Sequence, residues 1–412
     1  MNKLLPDYES ALALVLEHAP EVGVERVALT DSLGRVLRED VVADRDQPPF
    51  ERSAMDGFAV SSGIDLTQSH AVQGSIAAGQ AMPQSPSGVW RIATGASVPV
   101  QFDTVIPIER TEVTSNDDGE LVQFTVDSVE QWQHIHRRGS DANTGDVVVR
   151  AGTRMGPQHV GIASAVGASD VGVSARPRIT LITTGDEVMP PSTPTGDLEP
   201  QQIRNSNGPL LRAFFEAIGA PLLEHVHVPD EPEHTRAAAR EALSRSHLVV
   251  TVGGVSVGQR DFLPWAWQKL GLNTVLHGVA IQPGKPVFVA APFDSEHAEE
   301  KDNKLVIGLP GNPVSVFATA HLFVWPIVRR MMGMDAALPW RSCALGSPVR
   351  AKKQRQVFRV ARCLESGWVE PIHWHGSGDL MHTADADGWI RLPFQDGEIE
   401  AGRTIQFLPM VW

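Results

Sequence analysis

Cysteine is nearly missing from this 412-residue chain: Cys343 and Cys363 are the only two. That excludes a disulfide framework and a cysteine-based zinc site. Net positive charge is missing as well. At −14 the chain repels polyanions overall, which argues against nucleic acid and anionic membranes as partners. A local basic pocket for a phosphorylated ligand remains compatible with that sum. No stretch approaches the ~20 apolar residues needed to cross a bilayer. The opening MNKLLPDYESALALVLEHAP reads as an amphipathic helix without the apolar core and cleavage site of a signal peptide, so the expected location is cytoplasmic. A Gly-x-Ser-x-Gly elbow, a Walker loop and a dinucleotide fingerprint are all absent. Serine hydrolase, P-loop ATPase and dehydrogenase chemistry fall away with them.

What is present is a repeated local pattern: a short apolar run that breaks into a Gly-rich loop. Ile179–Thr183 runs into Thr184-Gly185-Asp186-Glu187, and Leu248–Val252 into Gly253-Gly254-Val255-Ser256-Val257-Gly258. Leu305–Ile307 runs into Gly308-Leu309-Pro310-Gly311-Asn312-Pro313. Continuous apolar runs alternating with helical stretches indicate a parallel sheet covered on both faces. Ligands of such sheets bind beyond the carboxyl ends of the strands. The three loop endings therefore describe one cleft for an anionic ligand.

Length gives a prior of about three domains. Helices are expected over 5–19, from Asn207 to before Gly219, over 231–245, near 262–270, and from Val314 to about Met332 with a kink at Pro326. Residues 51–141 carry short alternating runs with many Gly, Ser and Thr, which predicts a small β-structure. After Gly333 and Pro339 the composition shifts to short strands with Gly turns, a further β-domain.

Glycines at 253–258 permit positive φ and close backbone approach, so successive N–H groups can cradle an oxyanion; a plain tight turn explains them equally. Asn312 and Pro313 open a helix, where simple capping is the competing account. Asp186, Glu187, Asp230 and Asp261 are the acids of the cleft. Mg²⁺ commonly takes one or two carboxylates plus phosphate oxygens, although Asp230, just before a helix, also suits capping. Lys285, pinned in Pro283-Gly284-Lys285-Pro286, supplies a cation. Two His-x-His pairs, His134/His136 and His373/His375, lack a third ligand for zinc and read as strand or rim residues.

Taken in order, these segments resemble the MoeA/gephyrin E-domain family, the molybdopterin molybdenumtransferases. The resemblance rests on Ser53-Ala54-Met55-Asp56-Gly57-Phe58-Ala59, Ala93-Thr94-Gly95-Ala96, Thr184-Gly185-Asp186-Glu187, Ser206-Asn207, GGVSVG with Asp261 three residues on, the PGKP of 283–286, GLPGNPVS and Gly376-Ser377-Gly378-Asp379-Leu380. It covers nearly the whole chain. It implies a multidomain α/β plus β protein. A MogA-like, doubly wound α/β domain (1–26 and 177–333) would carry the substrate cleft. A mixed linking domain (27–46 and 142–176) would serve dimerisation. A β-rich domain (47–141) would complete the active site of the other subunit of a homodimer, and a C-terminal β-barrel-like domain would span 338–412.

The implied reaction is insertion of molybdate into adenylylated molybdopterin with Mg²⁺-dependent release of AMP. The resemblance gives Asp56, Thr94, Asp141, Glu187, Asp230 and Asp261 as the catalytic set, and Asp186, Asp230 and Asp261 for Mg²⁺, their division left open. Thr184, Gly185, Asp186, Ser206, Asn207, Gly253, Gly254, Ser256, Gly258, Pro310, Gly311 and Asn312 would bind the pterin nucleotide. Lys285, Ser315, Arg355 and Ser377 would hold molybdate, a dianion suited to Lys and Arg donors. A contact with molybdopterin adenylyltransferase is also implied. The chain departs from the family at Gln282, where lysine is frequent, and at Phe58, where tyrosine is. A molybdopterin adenylyltransferase-like enzyme and a non-catalytic scaffold are the competing readings, and sequence does not separate molybdate from tungstate.

Overall fold

The computed structural model describes residues 5–117, 119–254, 263–292 and 304–412. Two compact units emerge. The first comprises Met1–Glu25, Gly34–Arg38 and Gly172–Trp412; the second comprises Arg26–Leu33 and Glu39–Val171.

The first unit is built on one six-stranded sheet. Its strands are β1 (Ile179–Thr184), β2 (Glu224–Val228), β3 (Leu248–Val252), β4 (Leu272–His277), β5 (Phe288–Pro292) and β6 (Leu305–Leu309), in the order β2-β1-β3-β6-β5-β4. The first four in that order run parallel. β5 runs antiparallel to both β6 and β4, so an antiparallel pair extends the expected parallel sheet. Every residue of β3 and β6 is buried, which is why both read as unbroken apolar runs. Successive side chains of a strand point to opposite faces. Leu248, Val250 and Val252 accordingly enter one core and Val249 the other; Leu305, Ile307 and Leu309 enter the first core and Val306 the second. The helix Asn207–Ala217 covers the first face through Leu211, Phe214 and Phe215. The helix Pro232–Arg245 covers the second through Ala239 and Ala242.

The expected helix from Val314 to Met332 is interrupted differently from a simple kink. Pro313–Thr319 is α-helical, Ala320–Val324 forms a wide π turn, and Trp325–Met331 resumes the α-helix. Pro326 has no N–H to give to the carbonyl of Leu322, four residues earlier. The buried Tyr8 hydroxyl donates to that carbonyl instead, at 3.1 Å. Burial also holds the Tyr8 phenol well above its usual pKa.

The C-terminal strands Gln356–Cys363, Gly388–Leu392, Thr404–Pro409 and Arg341–Ala344 form a second sheet of this unit. The short strand Ile281–Gln282 pairs with Gln356 and Val357 at its edge. The loop carrying Lys285 is thereby tied to the C-terminal sheet.

The second unit holds a six-stranded sheet in the order Thr104–Pro107, Gly57–Val60, Val89–Ile92, Ser69–Ile76, Gly119–Phe124, Thr111–Asn116. Two small cores flank it; Ala59 enters one, Phe58 and Val60 the other. Gly57 sits where a Cβ would lie 2.0 Å from the backbone oxygen of Ile106, so no other residue fits that strand crossing. No helix among the described residues is long and apolar enough to cross a membrane.

Candidate functional site

Register brings the cleft acids together. Thr184 at the end of β1 pairs with Val228 at the end of β2. Asp186 and Asp230 each lie two residues beyond those paired ends, and the Asp230 N–H donates to Asp186 Oδ1 at 3.1 Å. The cap position of the following helix is held by Glu231, one residue after Asp230, and Glu231 makes no side-chain cap bond. Glu187 is exposed and folds over Gly185, whose φ is +132°.

The next loops in the sheet order follow the same logic. Gly253 has φ +86° and a Cβ there would meet Thr184 Oγ1 at 2.9 Å, while Gly254 has φ +62°. Both turn by conformations open mainly to glycine. Gly311 approaches Gly253, with its Cβ position 4.0 Å from the Gly253 Cα. Asn207 Nδ2 donates to the Gly311 carbonyl at 2.7 Å. That bond fixes which end of the amide is nitrogen, and it leaves Asn207 Oδ1 buried without a donor. A buried unpaired acceptor costs roughly 1–3 kcal/mol and marks a place for an outside group. Ser206 precedes that helix without a side-chain cap; Asn205 Oδ1 does the capping, accepting from the Gly208 N–H at 2.8 Å. Ser256, Gly258 and Asp261 lie outside the described residues.

Beside these loops is a cavity of about 420 Å³ lined by Lys285, Ser315, Arg355, Ser377, Asn312 and Gln282, among others. Pro310 also reaches it. Four residues from four separate segments, Lys285, Ser315, Arg355 and Ser377, thus share one wall-to-wall space. Arg355 and not Arg359 belongs there: Arg359 lies against Trp374, donates to the Ile372 carbonyl at 3.2 Å, and has its pKa lowered by burial. Asn312 occupies the cap position of its helix, yet its side chain turns outward to Ser377 Oγ at 2.9 Å. The capping comes instead from the Ser377 carbonyl, which accepts the Val314 N–H at 3.0 Å. Gln282 Oε1 is buried without a partner; its amide can present either an acceptor or a donor to a ligand.

The second unit has its own polar group. Asp56 Oδ1 accepts the Thr94 N–H at 2.7 Å, joining two residues far apart in sequence. Asp141 Oδ1 lies 2.8 Å from His136 Nε2 and accepts from the Ser140 hydroxyl at 3.2 Å. His136 Nδ1 in turn faces Arg52 Nη2 at 3.0 Å. Arginine can only donate, so His136 is the Nε2–H tautomer and donates to Asp141. Sequence reasoning left His136 as a rim residue, noted Gln282 only as a departure from the family's lysine, and passed over Arg52 and Asn205; no local pattern around any of them announces these contacts.

Comparison with known proteins adds the following. Residues 7–167 match the model of the MoeA N-terminal region (domain I and II), residues 180–330 a probable molybdopterin binding domain, and residues 343–410 the MoeA C-terminal region (domain IV). The chain is 33% identical over 418 residues to a molybdopterin molybdenumtransferase of Synechococcus elongatus, covering 98% of this chain and 99% of the relative. It is 32% identical to that of Bacillus subtilis, covering 97% and 93%. A crystal structure of a molybdopterin biosynthesis moeA protein from Pyrococcus horikoshii superposes with a TM-score of 0.82 at 26% identity, covering 99% of this chain and 100% of the other.

Proposed function

The chain belongs to the molybdopterin molybdenumtransferase family, a family of transferases in molybdenum cofactor biosynthesis, and from that premise we propose how its own residues divide the work. The pterin enters adenylylated, and AMP leaves when molybdenum is inserted. Glycine N–H groups at 253–254 and the 310–312 loop hold the phosphates. Lys285 and Arg355 neutralise the molybdate dianion, with hydroxyl donors from Ser315 and Ser377. The observation that carries this reading is the convergence of those four side chains on one cavity next to the strand-end loops.

Asp186 and Asp230 fit Mg²⁺ by donor chemistry: two aspartates just beyond neighbouring strand ends, partly open to solvent, offer the one or two oxygen ligands that this ion takes beside phosphate. Bound there, Mg²⁺ would neutralise phosphate charge and polarise the phosphoryl group. Asp56, Thr94 and Asp141 act in the same reaction through a homodimer, each copy supplying them to the cleft of the other. The family resemblance supports that arrangement.

The test is a single incubation of the chain with adenylylated molybdopterin, molybdate and Mg²⁺, with AMP and pterin-bound molybdenum both quantified. AMP should appear in step with molybdenum incorporated. Molybdenum incorporation without AMP, or equal incorporation into non-adenylylated pterin, contradicts the adenylylated substrate.

A further inference from the structure

The stretch from His373 to His382 holds a second constellation, apart from the cleft acids. Asp379 is nearly enclosed, its side chain 14% exposed. Each of its oxygens faces one imidazole: His375 Nδ1 lies 3.0 Å from Oδ2 and His382 Nδ1 2.7 Å from Oδ1. The backbone N–H groups of the same two histidines also donate to the carboxylate, at 2.8 Å for His375 and 3.4 Å for His382. The two rings stand 5.1 Å apart, and the His373 ring is 5.3 Å from His375. One donor atom from each of His375, Asp379 and His382 lies within 4.8 Å of the others, the only such group among the described residues.

We propose that His375, Asp379 and His382 form a binding site for a divalent transition-metal ion of the zinc type. Two imidazoles and one carboxylate are the ligand set that borderline first-row ions prefer; Mg²⁺ and Ca²⁺ take oxygen alone. Two Nδ1 atoms aimed at one carboxylate need two separate protons to satisfy them. A single cation between the three groups replaces both. The ligands are already in place, because the backbone N–H groups occupy outer positions of the carboxylate and fix its orientation, the role that outer partners play in metal sites. Three protein ligands leave a fourth position, which water can fill.

The site adjoins the oxyanion cavity without sharing its chemistry. His375 lines that cavity and is followed directly by Gly376 and Ser377. The ion would brace the turn whose Ser377 carbonyl caps the Val314 helix and whose hydroxyl meets Asn312. This assignment stands whether or not molybdate is the cavity's ligand.

The experiment uses the full chain without an affinity tag, stripped with a chelator and titrated with Zn²⁺ against a chromophoric competitor. One equivalent should bind and resist excess Mg²⁺. His375→Gln and His382→Gln should each weaken binding at least about tenfold, the loss that even an outer partner causes, with circular dichroism unchanged. His234→Gln, which removes an exposed histidine paired with Glu231, should leave the affinity as it was. Absence of stoichiometric binding, equal affinity in His382→Gln, or displacement by Mg²⁺ would overturn the proposal.

Discussion

The two units handle their polar side chains in opposite ways. In the second unit the acids are satisfied locally. Asp56 is held by Thr94, Asp141 by His136 and Ser140, and Asp46 by the Thr144 N–H and hydroxyl together with Arg138. In the first unit the cleft keeps buried valences open: Asn207 Oδ1 and Gln282 Oε1 have no donor, and Lys285 and Arg355 line an open cavity. A site whose groups are already paired orients what reaches it. A site with open valences binds. The proposed function follows this difference, with ligand capture in the first unit and catalytic positioning in the second.

The largest expected effect tests that division directly. Asp56→Asn should lower molybdenum transfer by roughly two orders of magnitude, the scale of a positioned acid or base. Its molybdate affinity, read by calorimetry, should stay the same. A parallel loss of affinity would break the comparison.

Acid should separate the units next. His321 is fully buried against Phe214, Phe317 and Trp389, and desolvation pushes its pKa down to about 4. It is neutral when folded, while the unfolded chain takes up a proton near the ordinary value of about 6.5. The first unit therefore keeps this stability above about pH 6.5 and loses it as pH falls toward 4, by up to about 3 kcal/mol. Tryptophan-monitored denaturant unfolding at pH 7 and pH 4.5 measures the loss, and His321→Phe should flatten the slope. In the second unit, backbone and side-chain bonds from Thr144, then Arg138, hold Asp46 down at about 2. Its contribution is intact above the ordinary carboxylate range and fades only as pH falls toward 2. The first unit should yield to acid before the second.

Glycine substitutions give the smallest and most discriminating contrast. Gly57→Ala forces a Cβ onto the Ile106 carbonyl and should destabilise the second unit by about 1–3 kcal/mol. Among the described residues Gly311→Ala meets only the Gly253 Cα at 4.0 Å, without a positive φ, and should change stability by less than about 0.5 kcal/mol. Thermal melts of both variants decide the pair; a destabilised Gly311→Ala would mean that the cleft loops are packed, not open.

The sheet of the first unit was readable because β3 and β6 are buried on both faces, which leaves an unbroken apolar signature in sequence. The antiparallel strands β4 and β5 were harder, since their pairing depends on a return through the loop 278–287 that no local pattern announces. The π turn followed from Pro326 only in part: the proline removes one donor, but Tyr8, more than three hundred positions away, decides what replaces it. At the site, Gly-rich loops and the Lys285 segment stood out by composition. His136 and the His375–Asp379–His382 group did not, because a His-x-His spacing fixes neither which carboxylate faces the ring nor how a turn folds back. Asn312 shows the converse: its position predicts a cap, while its side chain serves Ser377.

The most direct test is a calorimetric titration of molybdate into the unmodified chain and into Lys285→Ala. Loss of a charge-assisted donor is worth about 1.5–3 kcal/mol, so affinity should fall by roughly 10- to 100-fold with the melting temperature unchanged. Undiminished affinity in Lys285→Ala would contradict the placement of the oxyanion in this cavity.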